Sequence, residues 1–486
     1  MNYKVVLSIL GKMMMIEAVL MLCPALVGAI YQENEFVSFL IPILTLCAVG
    51  IPLSLIKTKD NSLYAKEGFV TVSLCWIVLS LTGALPFVIS GWIPNYVDAV
   101  FETVSGFTTT GASILSGEVV DTMSKGMMFW RLFTHWIGGM GILVFVLAII
   151  PANNAGVMHV FRTESPGPSV GKLVSKLRLT ARILYGIYIV MTLIQIILLV
   201  LGELNLYDSV LLSFSTAGTG GFGIKSDSAM SYSAYTQVVL AVFMFLFSIN
   251  FNAYFFIIIG SVRKAFQMEE VKAFFGLVVV ATLAITINLV TAMAEVYGNF
   301  GEALKHAFFQ VATISSTTGL VSADFDLWPE FSKAVLILLT IIGACAGSTG
   351  GGIKISRLII LCKTSGADFK RLIHPRSVVT TKFEGEVLDK KTERNVRTYF
   401  VLWAIIVTVA TLLLSIDGFA DFFSDFTATL ACIGNVGPGL GAVGPTCNYA
   451  GYSYFSKILL SFLMLLGRLE IFPLLILFIP RTWRKG

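Results

Sequence analysis

The sequence predicts an all-α polytopic membrane protein: two N-terminal helices followed by four helix–short-helix–helix repeats in a pseudo-fourfold arrangement around a common axis. Three observations predict it. The 486 residues are 56% hydrophobic and 13% charged, with mean hydropathy +0.84, and many runs exceed the roughly eighteen apolar residues that mark a spanning helix. Four stretches break these runs because they are too polar and glycine-rich to span: Ser-Gly-Phe-Thr-Thr-Thr-Gly-Ala-Ser at 105–113, Phe-Ser-Thr-Ala-Gly-Thr-Gly-Gly-Phe at 214–222, Ala-Thr-Ile-Ser-Ser-Thr-Thr-Gly-Leu at 312–320 and Ala-Cys-Ile-Gly-Asn-Val-Gly-Pro-Gly-Leu at 431–440. They recur at near-regular spacing of about a hundred residues, the signature of an internal repeat.

The first two spans are 5–30 and 37–55, joined by Gln32-Glu33-Asn34-Glu35. They carry no glycine-rich stretch and form a unit of their own, 1–56. Lys4 and Lys12 precede the first apolar run, and Pro24-Ala25 could imitate a cleavage site, but apolar residues resume at once, so a retained helix is expected rather than a signal peptide. Repeat 1 (57–150) has spans at 68–89 and 126–150 with a short helix at 97–104. Repeat 2 (151–260) has spans at 183–201 and 235–259 and a short helix at 206–213. Repeat 3 (261–362) has spans at 273–294 and 332–361 and a short helix at 301–311. Repeat 4 (363–486) has spans at 399–414 and 454–479 and a short helix at 419–430.

Charge sets the orientation. Loops on one side carry Lys57, Lys59 and Lys66; Arg162, Lys172, Lys176 and Arg178; Arg263, Lys264 and Lys272; a dense run from Lys363 through Lys370, Arg371, Arg376, Lys382, Lys390, Lys391 and Arg394 to Arg397; and Arg481, Arg484 and Lys485. Opposite loops have few basic residues, such as Lys125, Lys225 and Lys305. The rich side is cytoplasmic, with both termini, and the four glycine-rich loops dip in from outside. The net charge of +5 is small and loop-borne, which fits membrane orientation and not nucleic-acid binding. The seven cysteines are scattered without a CxxC pair, so neither a disulfide framework nor a metal site is indicated.

Non-helical backbone at membrane depth persists only where protein buries it or it lines a wet cavity. Four equivalent breaks therefore imply a shared axial cavity. Glycine lets the chain present carbonyls without a side-chain clash, and a ring of carbonyls can replace a cation's hydration shell. Each short helix also aims its partially negative C-terminus inward. The bland reading of a single loop is a kink packed by small residues; four on one side favour one ion pore. Glu118, Asp121, Asp324 and Asp326 at the outer mouth either attract cations or are solvated loop charges.

The same stretches, with Gly-Ala-Cys-Ala-Gly-Ser-Thr-Gly-Gly-Gly-Ile-Lys at 343–354, His-Pro-Arg at 374–376, Asn-Val-Gly-Pro-Gly-Leu-Gly at 435–441 and Gly-Arg-Leu-Glu-Ile-Phe at 467–472, resemble the Trk/Ktr/HKT superfamily of potassium transporters over essentially the whole chain. The two leading helices fit its Trk branch. The resemblance implies potassium uptake at the cytoplasmic membrane, a homodimer, and a TrkA-like cytosolic regulatory subunit that binds the nucleotide this chain has no motif for. It also implies that K+ is bound at filter glycines Gly111, Gly221, Gly319 and Gly437 and at neighbouring carbonyls of Thr109, Thr110, Thr219, Gly220, Thr317, Thr318, Asn435 and Val436. Some plant relatives with serine at the first glycine favour sodium; Gly111 here argues for potassium. Gly220 and Val436 stand where repeats 1 and 3 have threonine, so selectivity is expected to be moderate.

Two features point to control. Gly343, Gly347, Gly350, Gly351 and Gly352 fall within ten residues of one span, and each glycine costs a helix about 1 kcal/mol against alanine. In the family this segment is the intramembrane gating loop. The alternatives are a close helix contact or a phosphate loop, and the latter fails because Ile353 separates Gly352 from Lys354. The second feature is Arg468 inside the apolar run 458–479, a functional residue by default. It acts as an electrostatic barrier below the filter, pairs with Glu470, or caps carbonyls freed by the glycine loop. Arg131, His135 and His306 lack an evident partner and read as structural. The basic segment 363–397 is positive-inside charge, a docking surface for the regulatory subunit, or a contact for acidic lipid. No cluster suited to an enzyme appears. Proton or sodium coupling remains an alternative, with Glu470 as its one candidate carboxylate.

Overall fold

The computed structural model describes residues 1–56, 65–141, 177–202, 204–376 and 379–483. Among these the chain is helical apart from a two-stranded antiparallel hairpin, Lys382–Phe383 with Glu386–Val387, in register Lys382 to Val387. Among the described residues six helices are long and apolar enough to cross a membrane: Tyr3–Ile30, Phe36–Ser54, Lys66–Ser90, Ala181–Leu201, Glu269–Ala292 and Lys390–Leu414. The first runs unbroken through Pro24. It packs on the second through glycines: a β-carbon on Gly11 would press on Ser54 N and Gly50 O. Side chains such as Leu26, Leu44 and Ile51 are left outward and exposed.

The repeats share one plan. Their first spans are long helices. Their short helices are Tyr96–Phe107, Leu206–Gly218, Phe300–Ser315 and Phe422–Gly434. Each starts on the same device. Asn95, Asn205, Asn299 and Asp421 are N-caps whose side chains accept a backbone N–H of the first turn, worth about 1 kcal/mol apiece. The first three begin within one residue of the expected places and the fourth three residues later, and all run three to five residues beyond the predicted ends, because their last turns include the small and polar residues that read as loop.

The second spans differ from expectation. A single break was expected, at Gly343. All four break. Lys125–Gly139 ends before left-handed Gly141 (φ 74°), and the remainder of its predicted span, 142–150, lies outside the described residues. Ala234–Phe247 and Phe251–Ile258 meet at 89°. Glu330–Ile342 resumes only at Ile355. Tyr454–Arg468 ends before Glu470 and Ile471, both at positive φ. Hydropathy stays high through three of these breaks, so sequence patterning passes over them. Local polar groups carry the turns instead, as where Asn250 caps the second half of its pair by accepting from Asn252 N at 3.0 Å.

The core lies where the repeats meet. Phe133, Trp136 and Phe214 form one aromatic cluster between repeats 1 and 2. Phe245 stacks on Phe274 between repeats 2 and 3. Basic loop residues 57, 59, 162, 172, 176, 484 and 485 and the joints at 57 and 150/151 fall outside the described residues.

Candidate functional site

Each short helix closes with the same turn. The amide of Thr110 returns to Ser105 O at 2.9 Å, Gly220 to Ser215 O at 2.8 Å, Thr318 to Thr313 O at 2.8 Å and Val436 to Ala431 O at 2.9 Å. The residue just before that amide is left-handed in every case: Thr109 (φ 55°), Thr219 (53°), Thr317 (60°) and Asn435 (53°). Non-glycine residues take this conformation at a cost of about 1–2 kcal/mol. Four buried instances at equivalent positions mark a geometry that the surrounding packing enforces.

The next residue but one is the glycine, also at positive φ: Gly111 (81°), Gly221 (88°), Gly319 (88°) and Gly437 (97°). A β-carbon on Gly111 would overlap the carbonyl oxygen of Gly220. On Gly221 it would overlap that of Thr318, on Gly319 that of Val436, and on Gly437 that of Thr110. Each glycine thus faces the preceding carbonyl of the next repeat, and the fourth faces the first. The four loops form a closed ring in chain order. The outer rim closes in the same order. Asp121 accepts Ser226 N at 2.8 Å, Ser228 Oγ accepts Val321 N at 3.0 Å, Asp326 accepts Gly441 N at 3.2 Å, and Tyr449 N donates to Ser113 O at 2.9 Å. Of the outer acids, Asp121 and Asp326 are therefore fasteners between repeats, and Asp324 caps a turn by accepting Asp326 N. Glu118 stays exposed.

Behind the first loop lies a buried ion pair that sequence spacing did not reveal. Arg131 Nε donates to Glu102 Oε1 at 2.8 Å, both side chains all but fully buried. Glu102 also accepts Ser113 Oγ and Ile114 N, while Arg131 Nη1 reaches Gly223 O at 3.0 Å. The pair ties loop 1 to loop 2. Glu102 sits 29 positions before Arg131, too far for a helical-spacing argument. His135 bridges the same two loops. His306 Nδ1 lies at 3.2 Å from Ser322 Oγ.

The glycine-rich break in repeat 3 packs beneath loops 3 and 4. Gly343, Gly347 and Gly352 are left-handed, as is Lys354 at φ 83°. Gly351 N donates to Thr317 Oγ1 at 2.6 Å. A β-carbon on Gly350 would press on Ser316 O, and one on Gly351 on Gly434 O. The loop also fills the break in repeat 2: Cys345 N donates to Ser248 O at 3.2 Å, and Phe251 N to Gly347 O at 3.0 Å. Glu270, buried at the start of its helix, accepts Ala346 N at 2.6 Å, Ser356 N at 3.1 Å and Asn250 Nδ2 at 3.1 Å. One carboxylate therefore holds both ends of the loop. Glu384, at the tip of the hairpin, accepts Glu269 N and Glu270 N, each at 3.1 Å. Neither glutamate was picked out from the sequence. Their only mark there is position, at a helix start and at a two-residue turn before Gly385.

Arg468 does not pair with Glu470. Its Nη1 donates to Thr349 O at 3.0 Å and to Thr109 Oγ1 at 3.2 Å, and its Nη2 to Gly138 O and Gly139 O. It stands at the C-termini of two half-helices, where freed carbonyls favour a cation. The contacts are those of the carbonyl cap, which overlaps with the barrier reading because a barrier must also be held in place. Glu470 instead pairs with Arg357. Buried carboxylates do exist elsewhere: Glu17, Glu67, Glu102, Glu270 and Asp425. Thr109 of the ring and Thr349 of the glycine loop are thus brought together on Arg468, while Glu470 is engaged by Arg357. Among the described residues no cluster of three or more metal-ligating side chains occurs.

Comparison with known proteins agrees with this architecture. The TrkH family, described as "Cation transport protein", matches residues 34–485. The "Trk system potassium uptake protein TrkH" of Salmonella typhimurium is 34% identical over 491 residues, covering 100% of both chains. The "Trk system potassium uptake protein TrkG" of Escherichia coli is 30% identical over 494 residues, covering 100% of this chain and 99% of that one. The "Crystal Structure of the Potassium Transporter TrkH from Vibrio parahaemolyticus" superposes with TM-score 0.89 at 32% identity, covering both chains fully. The chain is therefore a member of the TrkH family of cation transport proteins.

Proposed function

We propose that this chain takes up potassium through a gated, moderately selective pore in the cytoplasmic membrane, both termini on the cytoplasmic side. The observation that carries the reading is the closed ring in which Gly111, Gly221, Gly319 and Gly437 each lie against the next repeat's carbonyl. Such a ring supplies oxygen ligands on a common axis. The potassium uptake named for the relatives supports the choice of ion. K+ is held by backbone oxygens of Thr109, Thr110, Gly111, Thr219, Gly220, Gly221, Thr317, Thr318, Gly319, Asn435, Val436 and Gly437. The loop bearing Gly343, Gly347, Gly350, Gly351 and Gly352 is the gate, and Arg468 its latch. The repeats divide at 57–150, 151–260, 261–362 and 363–486. A TrkA-like cytosolic subunit brings the regulatory nucleotide and docks on the basic segment 363–397, two copies of the chain form a homodimer, and membrane lipid surrounds it. No nucleic acid or enzymatic step is involved.

Rubidium and sodium uptake into proteoliposomes, comparing wild type with Gly111→Ser, tests the reading. Potassium-competed rubidium flux that loses selectivity in the variant supports it. Sodium flux indifferent to potassium and to the substitution overturns it. Coupling to protons or sodium is favoured by one observation, the buried Glu17, whose Oε1 has no hydrogen-bond partner. Uptake that depends on an imposed proton gradient, and loses that dependence in Glu17→Gln, would establish it.

A further inference from the structure

The ring is fourfold in backbone but not in what stands behind it. In repeat 1 the hydroxyls of Thr108 and Thr110 meet at 2.8 Å. In repeat 3 those of Ser316 and Thr318 meet at 2.7 Å. These pairs bridge the end of the short helix and the residue before the ring glycine, and so brace the carbonyl that faces the neighbouring repeat. Repeat 4 has Gly434 and Val436 at the two positions, with the valine side chain lying against Gly434, whereas repeat 2 has Gly218 and Gly220 and no side chain at either. Two adjacent gaps in a close-packed interior call for a filler.

The filler is His135, fully buried. A β-carbon on Gly220 would clash with the imidazole ring, 2.1–2.3 Å from Cγ, Cδ2 and Nδ1, and one on Gly218 would overlap the His135 carbonyl. The ring packs at 4.2 Å from Phe222. Its two nitrogens are both used, and their partners fix the tautomer. Nδ1 lies 2.8 Å from Gly106 O, which can only accept, so Nδ1 carries the proton. Nε2 then accepts the amide of Phe222 at 3.2 Å. That amide directly follows Gly221. One side chain from repeat 1 thus fixes the ring segment of repeat 2 at Gly218, Gly220 and Phe222.

We propose that His135 is a positioning residue that sets the cation preference of the second ring segment, standing in for the side chains Gly218 and Gly220 lack. This rests on the four loops being the filter. The bond to Phe222 matters most, because its loss leaves a buried N–H unpaired beside Gly221 and lets the Gly220 carbonyl shift along the axis. The maximal rate depends less on that carbonyl than the choice between ions does, since the hydroxyl pairs of repeats 1 and 3 are untouched.

The test is rubidium against sodium flux in proteoliposomes for wild type, His135→Gln, His135→Asn and Gly319→Ala. A glutamine amide can donate to Gly106 and accept from Phe222; an asparagine amide reaches Gly106 but leaves Phe222 unpaired. The Gln variant is expected to keep the wild-type preference. The Asn variant is expected to lose about tenfold in preference, the scale of one unmade buried hydrogen bond, with a raised KM for rubidium and a nearly unchanged maximal rate. Equal preference in the Asn variant and wild type overturns the proposal, as does an equal loss in Gln and Asn. If Gly319→Ala lowers preference while His135→Asn does not, the proposal alone fails. If neither changes it, the filter reading fails as well.

Discussion

Arg468 and Thr349 are joined by a direct hydrogen bond, guanidinium Nη1 to carbonyl oxygen at 3.0 Å, across 119 positions of chain. The bond connects the broken span of repeat 4 to the glycine loop of repeat 3. The other donors of the same guanidinium hold Gly138 and Gly139 of repeat 1. Three repeats are therefore pinned by one cation below the ring. Arg468→Ala removes the pin and the positive charge together, and rubidium flux at matched protein content should rise. Arg468→Lys keeps the charge but cannot make the forked contacts. If it also raises flux, the latch rather than the charge is the main restraint. Unchanged or lower flux in Arg468→Ala with normal membrane insertion would exclude both roles.

Glu270 holds the two ends of the glycine loop through Ala346 N and Ser356 N. In Glu270→Gln one acceptor oxygen becomes an amide donor facing N–H groups. The cost is about 1–3 kcal/mol for donors left unpaired. The loop should open more often, seen as higher basal flux and as faster protease cleavage or hydrogen exchange in 343–356. A variant with wild-type flux and exchange would sever the connection between this carboxylate and the gate.

Glu384 reaches the same helix from the hairpin, capping Glu269 N and Glu270 N. Glu384→Ala should cost about 1 kcal/mol, the usual value of a side-chain cap, and raise basal flux less than Glu270→Gln does. If the hairpin transmits a signal through Glu270, the double variant will show less than the sum of the two effects. Strict additivity would mean that the hairpin only caps the helix.

Glu102 and Arg131 form the buried pair behind loops 1 and 2. Removing one partner leaves a buried charge uncompensated, at a cost of about 3–5 kcal/mol. Glu102→Gln should therefore lower the unfolding temperature in detergent markedly. Replacing both residues with apolar ones of similar volume should restore part of the loss. A single variant with wild-type thermal stability would contradict the geometry.

Gly319→Ala places a methyl group against the Val436 carbonyl at φ 88°. Gly366, with no neighbour within 4 Å of its would-be β-carbon, is the control. Selectivity should fall in the first and stay unchanged in the second; equal behaviour would remove the ring's special status.

The fold was largely legible because its signals are local. Hydropathy marks the long helices, and small polar residues followed by Gly111, Gly221, Gly319 and Gly437 mark the ring. What escaped was non-local or conformational. Breaks after Gly139, Phe247 and Arg468 lie within apolar runs that read as continuous. Glu102 meets Arg131, and Glu270 meets the glycine loop 76 positions away, only once the helices pack. His135 seemed partnerless because its partners are a carbonyl and an amide, which every sequence contains everywhere.

The ring's last contact joins its two ends. Asn435 Nδ2 donates to Thr110 Oγ1 at 3.0 Å, 325 positions apart, and Gly437 lies against the Thr110 carbonyl. A ribosome delivers these partners at opposite ends of synthesis. Until the fourth repeat is inserted, the first three form an open arc with no complete set of oxygen ligands. A chain stalled or truncated before that point lacks the closed ring on which the proposed filter depends.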